Sequence, residues 1–309
     1  MEIKEKWLIN VPVATLWTSF DSAREIDKDA ITNPAHIEGW LKDLSYETSL
    51  ELCNKNLVQS QLLYGEEVII LEEKGDWVQV AIPTQSSSKD SRGYPGWLPK
   101  EQIMLTVGWK IESSPIVVIT EKQTSLYNFS KEPQLVLSYQ TWLPLINRED
   151  QWIQVQTPSG EGFLKAEDAA VYESINHLPK GNGKDIVSEG ERFLGLAYLW
   201  GGMSSFGYDC SGFSYSMCKA NGYMIPRDAH EQAKEGADIV LDKILPGDLL
   251  FFAYEEGKGS IHHVGIYYGD GKLLHSPNTG KSIEIIEMKN TIYEKELCTA
   301  RRYWQEMEE

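Results

Sequence analysis

The sequence predicts an α+β domain over residues 184–309, made of helices followed by an antiparallel sheet, behind two small all-β barrels. Three observations carry this. An internal repeat pairs Gly75-Asp76-Trp77-Val78-Gln79-Val80 with Asp150-Gln151-Trp152-Ile153-Gln154-Val155. A second matching element follows each copy, Gly96-Trp97-Leu98-Pro99-Lys100-Glu101 and then Gly162-Phe163-Leu164-Lys165-Ala166-Glu167. Beyond the turn-rich run Leu178-Pro179-Lys180-Gly181-Asn182-Gly183-Lys184, strand-like alternation gives way to helical spacing and then to short apolar strands.

Within each repeat, aromatic and β-branched residues alternate with polar ones, the period of strands with one buried face. The organisation expected is a first module with an amino-terminal extension over 1–105, a second over 106–176, a linker over 177–183 and the α+β domain over 184–309. Residues 10–45, with Trp17 and Trp40, lack the repeat and read as mixed helix and loop. Trp77, Trp97, Trp152 and Phe163 read as barrel core. Asp185 is placed to cap a helix running to about Leu196, with Ile186, Phe193, Leu194 and Ala197 facing a core. A second helix should start near Cys210 and end at Asn221-Gly222, a pair suited to a left-handed cap. Strands should follow at Asp248–Tyr254, His262–Tyr268 and Lys272–Ser276.

Composition narrows the partners. The 309 residues are 41% hydrophobic and 24% charged, ordinary values for a globular chain, and the formal net charge is −17. A polyanion of this kind lacks the basic excess that gains from counterion release, so nucleic acid and anionic membranes are not expected partners, and small soluble substrates are favoured. The start, Met1-Glu2-Ile3-Lys4-Glu5-Lys6, has no secretory apolar stretch behind it, and no run approaches the roughly 18 apolar residues of a membrane span. The expected location is therefore cytoplasmic. The tail Glu306-Met307-Glu308-Glu309 reads as a solvated end. Cys53, Cys210, Cys218 and Cys298 form no CxxC pair and no metal-ligand spacing, so no metal or other cofactor is expected and a reducing compartment fits.

Cys210 stands out by context. A helix amino terminus offers partial positive charge and unpaired N–H groups, which lower a thiol's pKa and stabilise a developing oxyanion. A base is also needed, and usually a group that orients it. Three of the six histidines, His262, His263 and His275, lie in or beside one hairpin. Alternation puts His263, Gly265 and Tyr267 on one face. If Gly269-Asp270-Gly271 is a three-residue loop, Tyr268 pairs with Lys272 and Gly265 with His275, which makes His275 a diagonal neighbour of His263 on the same face. A two-residue loop would put them on opposite faces. The odd loop is the expectation.

Tyr198-Leu199-Trp200-Gly201-Gly202, Asp209-Cys210-Ser211-Gly212-Phe213, Pro246-Gly247-Asp248-Leu249, His263-Val264-Gly265-Ile266-Tyr267 and His275-Ser276 occur in that order. These five blocks resemble the NlpC-type cell-wall cysteine peptidases, whose fold is papain-like. The two barrels resemble bacterial SH3-like domains, and the whole chain resembles the YkfC-type γ-D-glutamyl-L-diamino acid endopeptidases of murein-peptide recycling. The resemblance implies Cys210 as nucleophile, His263 as general acid/base, His275 as its orienter and Tyr198 near the oxyanion. It further implies that Asp209 and Ser211 help hold the substrate's amino-terminal part and that Arg227-Asp228 lies near the D-glutamyl site, where the guanidinium would clamp a carboxylate. Tyr94 fits the tyrosine such proteins offer to the substrate's free α-amine.

Two positions depart from the pattern. Ala229-His230 stands where serine usually follows Arg-Asp, and Gln61 falls where an acidic residue usually meets the amine. The expected substrate is a small murein peptide with a free amino-terminal L-alanine, cut between D-glutamate and the diamino acid. The expected role of the first module is to close the amino-terminal end of the cleft. Two rival readings are a thiol acyltransferase or amidase that keeps the Cys/His pair, and a non-catalytic wall-binding protein.

Overall fold

The structure, a computed structural model, describes residues 5–305. The first four residues of the amino-terminal run and the acidic tail lie outside the described residues. The described chain divides into two compact units: 5–84, 92–178 and 204–206 form one, and 85–91, 179–203 and 207–305 form the other.

The first unit holds both barrels. Strands Glu5–Ile9 (β1), Val13–Trp17 (β2), Val58–Leu63 (β3), Glu67–Lys74 (β4), Trp77–Ile82 (β5), Tyr94–Pro99 (β6) and Ile103–Val107 (β7) form a sheet ordered β3-β2-β6-β5-β4-β1-β7. Strands Ile116–Ile119 (β8), Gln123–Tyr127 (β9), Pro133–Ser138 (β10), Trp142–Arg148 (β11), Trp152–Thr157 (β12), Gly160–Lys165 (β13) and Ala169–Tyr172 (β14) form the second, ordered β10-β9-β13-β12-β11-β8-β14. The two orders are identical strand for strand. The sequence repeat marks only β5–β6 and β12–β13 of this common topology.

The amino-terminal segment corrects the sequence reading. Residues 5–17 are two barrel strands, with β1 pairing β4 and β7 and β2 pairing β3 and β6. The helices Lys28–Ile31 (α1), Ile37–Asp43 (α2) and Tyr46–Asn54 (α3) are an insertion between β2 and β3. The corresponding β9–β10 connection is a short turn in which the Asn128 N–H donates to the Glu132 carbonyl at 3.0 Å. Inside the insertion, buried Asp27 accepts from Arg24 Nε at 2.8 Å and from Trp40 Nε1 at 2.9 Å, so this carboxylate is paired where it leaves water. One apolar cluster runs through both barrels, from Leu8 and Tyr64 through Trp109 to Leu143, Ile153 and Val155. Trp97 is buried as expected of core, whereas Trp77 and Trp152 are half-buried.

The second unit opens with helix Gly183–Glu191 (α4). Its cap is Asn182, not Asp185: Asn182 Oδ1 accepts from the Lys184 and Asp185 N–H groups at 2.8 and 3.3 Å, and Asp185 Oδ2 accepts from the Asn182 N–H at 2.7 Å. Asp185 is thus the third-position partner of a capping box. The helix stops five residues before Leu196, in a looser turn that reaches Gly195 at φ +83°. Two-residue strands Met203–Ser204 (β15) and Gly207–Tyr208 (β16) precede helix Cys210–Ala220 (α5), which ends at Asn221 with Gly222 at φ +76°. Ala229–Gln232 (α6) follows.

Strands Ala237–Ile239 (β17), Leu249–Ala253 (β18), Ile261–Gly269 (β19), Lys272–His275 (β20), Glu284–Glu287 (β21) and Leu297–Arg302 (β22) make an antiparallel sheet ordered β17-β22-β18-β19-β20-β21. Two short helices, Tyr254–Gly257 (α7) and Ile292–Glu296 (α8), complete the unit. Segment 85–91 comes from the β5–β6 connection yet belongs here. Ser88 donates its N–H to Glu231 Oε1 at 2.6 Å, its hydroxyl donates to the same oxygen, and the Arg227 N–H donates to the Ser86 carbonyl at 3.3 Å.

Candidate active site

Cys210 is the first residue of α5, and the turn before it is built from buried polar groups. Asp209 caps the helix, its Oδ1 accepting from the Gly212 N–H at 2.6 Å and its Oδ2 from the Gly201 N–H at 3.0 Å. Arg227 donates to both oxygens, Nη1 to Oδ1 at 3.2 Å and Nη2 to Oδ2 at 2.7 Å, and Nη1 also donates to Ser211 Oγ at 2.7 Å. Ser211 Oγ donates in turn to Asp209 Oδ1 at 3.2 Å. Gly212 makes this packing possible, because a Cβ there would stand 2.1 Å from the Gly202 carbonyl oxygen.

These contacts change the reading of three residues expected to hold substrate. Arg227 is 1% exposed and gives both Nη atoms to Asp209 and Ser211, so a ligand carboxylate would have to share it with Asp209. Asp209 and Ser211 are buried and brace the nucleophile's turn.

The sulfur meets the hairpin through the backbone. Burial pushes the Cys210 thiol up to about 12, and the Asp209 carboxylate adds to this; hydrogen bonding to the Val264 backbone, the Arg227 charge and the Ser211 backbone act in the opposite sense. The lowered thiol pKa expected from a helix start is therefore not found in the resting site, because desolvation outweighs the helix terminus. The residue taken as a whole is half-buried.

His263 and His275 are both buried, and His263 Nε2 lies 2.8 Å from His275 Nδ1. The ladder next to the histidines runs in the foreseen register, but neither the expected Tyr268–Lys272 pair nor the three-residue loop forms. Ile266 pairs with Leu274 and Tyr267 with Leu273, then a bulge at Tyr268 shifts the ladder so that Gly269 pairs with Lys272. The turn is thus the two-residue Asp270-Gly271, both at positive φ, and the bulge supplies the odd residue that keeps the histidines on one face. Gly265 lets the strands close up, since a Cβ there would lie 3.0 Å from His275 Cβ. Burial holds His263 well below the ordinary histidine range, reinforced by His275 and His262. Burial, with Lys281 nearby, brings His275 down to about 3. At neutral pH the site therefore holds a thiol and two neutral imidazoles.

Sequence reasoning missed Tyr293, on α8. Its ring is edge-on to His275 with centroids 4.9 Å apart and tilted against His263 at 5.3 Å, while Phe252 flanks His263 at 5.7 Å. Burial raises the Tyr293 phenol to about 12, with Glu284, Cys210 and Glu296 adding negative field. The short polar helix around Tyr293 carries no periodic signal that singles the residue out. His262 turns away from the pair, stacked on Tyr254 at 4.1 Å and bonded to Glu296 at 2.9 Å.

The remaining expected residues are spread over both units. Tyr198 is half-buried, its backbone bridged to Tyr208 and donating to the Lys281 carbonyl at 2.9 Å. In the first unit, Tyr94 is buried with its hydroxyl donating to Gln59 Oε1 at 3.3 Å. Gln61 is buried there too, its Oε1 accepting from Ser204 at 3.1 Å. Asp228, His230 and Glu231 bring three possible ligand atoms within 4.8 Å of one another. The Lys89 ammonium lies 3.2 Å from Asp228 and supplies positive charge there.

The catalytic-domain sequence matches the NlpC/P60 family over residues 195–302, and residues 119–172 match the YKFC SH3b2 domain. The chain is 50% identical to the γ-D-glutamyl-L-lysine dipeptidyl-peptidase of Bacillus subtilis, across 95% of this chain and 97% of that one. The chain belongs to the NlpC/P60 family of cysteine peptidases. A second relative, the γ-D-glutamyl-L-lysine dipeptidyl-peptidase of Bacillus cereus, is 39% identical across 96% of this chain and 91% of its own. The crystal structure of an NlpC/P60 family protein from Bacillus cereus superposes with a TM-score of 0.92 at 38% identity, covering 98% of this chain and all of that one. The family's α+β catalytic domain behind SH3-like barrels is thus the architecture of this chain.

Proposed function

We propose that this cysteine peptidase hydrolyses the γ-D-glutamyl bond to a diamino acid in small murein peptides, releasing L-Ala-D-Glu from a free amino terminus in cell-wall peptide recycling. The observation that carries the reading is the hydrogen bond between His263 and His275 on adjacent strands, with the Val264 backbone next to His263 bonding the Cys210 sulfur. Two relatives are named as dipeptidyl-peptidases of γ-D-glutamyl-L-lysine, which supports both the bond and the release of a dipeptide. The net charge of −17 favours free peptides over an anionic polymer, and four free cysteines suit a reducing cytoplasm. No helix among the described residues is long and apolar enough to cross a membrane.

In this reading His263 takes the thiol proton as sulfur attacks the γ-carbonyl of D-glutamate. The charge of the oxyanion falls on N–H groups at the start of α5, with the Tyr198 hydroxyl as a second donor. His263 then protonates the departing amine, and water hydrolyses the thioester with His263 as base. His275 holds the ring of His263 throughout.

The test is product analysis by mass spectrometry. L-Ala-γ-D-Glu-L-Lys should yield L-Ala-D-Glu and lysine, the Cys210→Ala variant should yield neither, and the N-acetylated tripeptide should be nearly inert. Comparable kcat/KM on the acetylated peptide, or ready solubilisation of intact murein, would remove the recycling role.

A further inference from the structure

The protons on the two histidines can be placed by elimination. To accept the thiol proton, His263 must keep one ring nitrogen unprotonated while the other faces His275. Both rings are neutral, and the 2.8 Å contact joins His263 Nε2 to His275 Nδ1. His263 therefore carries its proton on Nε2 and donates it, which leaves its Nδ1 as the base. His275 accepts at Nδ1, so its own proton sits on Nε2. That Nε2 belongs to a fully buried residue and has no hydrogen-bond partner among the described residues. A buried N–H without an acceptor is unfavourable, so an acceptor within reach acquires a role.

Glu284 supplies one. It stands directly opposite His275 in the β20–β21 ladder, and its Oε1 is 3.8 Å from His275 Nε2. The other titratable groups around the pair do not serve. His262 is held by Glu296, Tyr293 meets His275 edge-on through its ring, Lys281 carries the wrong sign and lies 4.0 Å from Glu284, and Cys210 bonds the Val264 backbone beside His263.

We infer that Glu284 is a positioning residue of this site, acting through His275 by receiving its Nε2–H and fixing the tautomers of both imidazoles. The inference rests on the roles proposed for Cys210, His263 and His275. When the S–H bond breaks and the proton joins His263 Nδ1, the ring becomes an imidazolium. Its Nε2–H bond to His275 strengthens, and the Glu284 carboxylate faces the new positive charge through the second ring. The Glu284 side chain is 40% exposed, and in this inference a rotation of it closes the 3.8 Å gap.

Four measurements on the full chain test this. Glu284→Gln should lower kcat by about 10-fold with KM changed little, the loss of one charge-assisted bond. Its acid limb of kcat/KM should move to lower pH, because removing a carboxylate makes the histidine pair harder to protonate. In a His275→Asn background the same substitution should cost nothing further. Nitrogen-15 NMR should find the His275 proton on Nε2. Unchanged kcat and acid limb in Glu284→Gln, an equal loss in the His275→Asn background, or a proton on His275 Nδ1 would overturn the inference. Activity surviving in Cys210→Ala or His263→Ala would instead overturn the reading beneath it, and the two failures are separable.

Discussion

Arg227 grips Asp209 with both Nη atoms, at 3.2 and 2.7 Å, and the pair is buried directly beneath the first turn of the nucleophile's helix. Removing one partner strands the other's charge out of water. Arg227→Ala should therefore destabilise the protein by about 3–5 kcal/mol, the usual penalty for breaking a buried pair. Arg227→Lys, which keeps the charge but not the fork, should lose less stability while still misplacing Ser211 and the Cys210 turn. Thermal unfolding and kcat, measured on both variants, check this. A stable Arg227→Ala protein that loses only substrate affinity would restore the carboxylate clamp.

The two histidines should differ in what they tolerate. His263→Ala removes the base and should abolish turnover. His275→Asn keeps an amide that can still accept from His263 Nε2, so it should retain measurably more activity. Steady-state kinetics on the tripeptide decide, and two equally dead variants would contradict the division of labour.

The resting protonation state has a spectroscopic consequence. With the thiol up at about 12 and His263 held well below 6.5, the enzyme should show no thiolate ultraviolet absorbance from Cys210 at neutral pH. Its activity should persist on acidification to pH values below the ordinary histidine range. Difference absorbance between the wild type and Cys210→Ala across pH measures the first. A thiolate signal already present at neutral pH would mean that an ion pair, and not a neutral pair, awaits the substrate.

The same burial links stability to pH. His275 has its folded pKa depressed to about 3 from 6.5, so below 6.5 the unfolded chain binds more protons than the folded one. Stability should fall as pH drops through that window, with a His275 contribution of at most about 1.4 kcal/mol per pH unit. Urea unfolding of His275→Gln at a series of pH values should give a flatter acid limb than the wild type.

Gly212 offers a test in which the sign is informative. Replacing glycine inside a helix by alanine ordinarily stabilises by about 1 kcal/mol. At this position the new Cβ would lie 2.1 Å from the Gly202 carbonyl oxygen, backbone that cannot swing aside. Gly212→Ala should therefore destabilise, by about 1–3 kcal/mol as overpacked sites do. Denaturant midpoints provide the measurement.

Several features were legible in the chain itself because they depend on local pattern. The repeat of Trp77 and Trp152 follows from the alternation of half-buried strands, and the start and end of α5 follow from Asp209 and Asn221-Gly222, residues whose side chains or backbone suit helix ends. The placement of Cys210, His263 and His275 as one candidate site also came from sequence, through the helix start and the hairpin's period of two. Other features depend on partners distant in sequence. Residues 5–17 showed no barrel signal because β1 and β2 find their partners across a long helical insertion. Arg227 read as a clamp for a substrate carboxylate, whereas the fold buries it with both Nη atoms on Asp209. The odd register of the histidine hairpin was right for a different reason, a bulge in place of a longer loop. Most of all, sequence assigned the sulfur a low pKa from its helix terminus, an effect local to one turn. Burial in the folded domain, with the Asp209 carboxylate beside it, reversed it, since desolvation depends on everything that surrounds the group and only the tertiary structure assembles that.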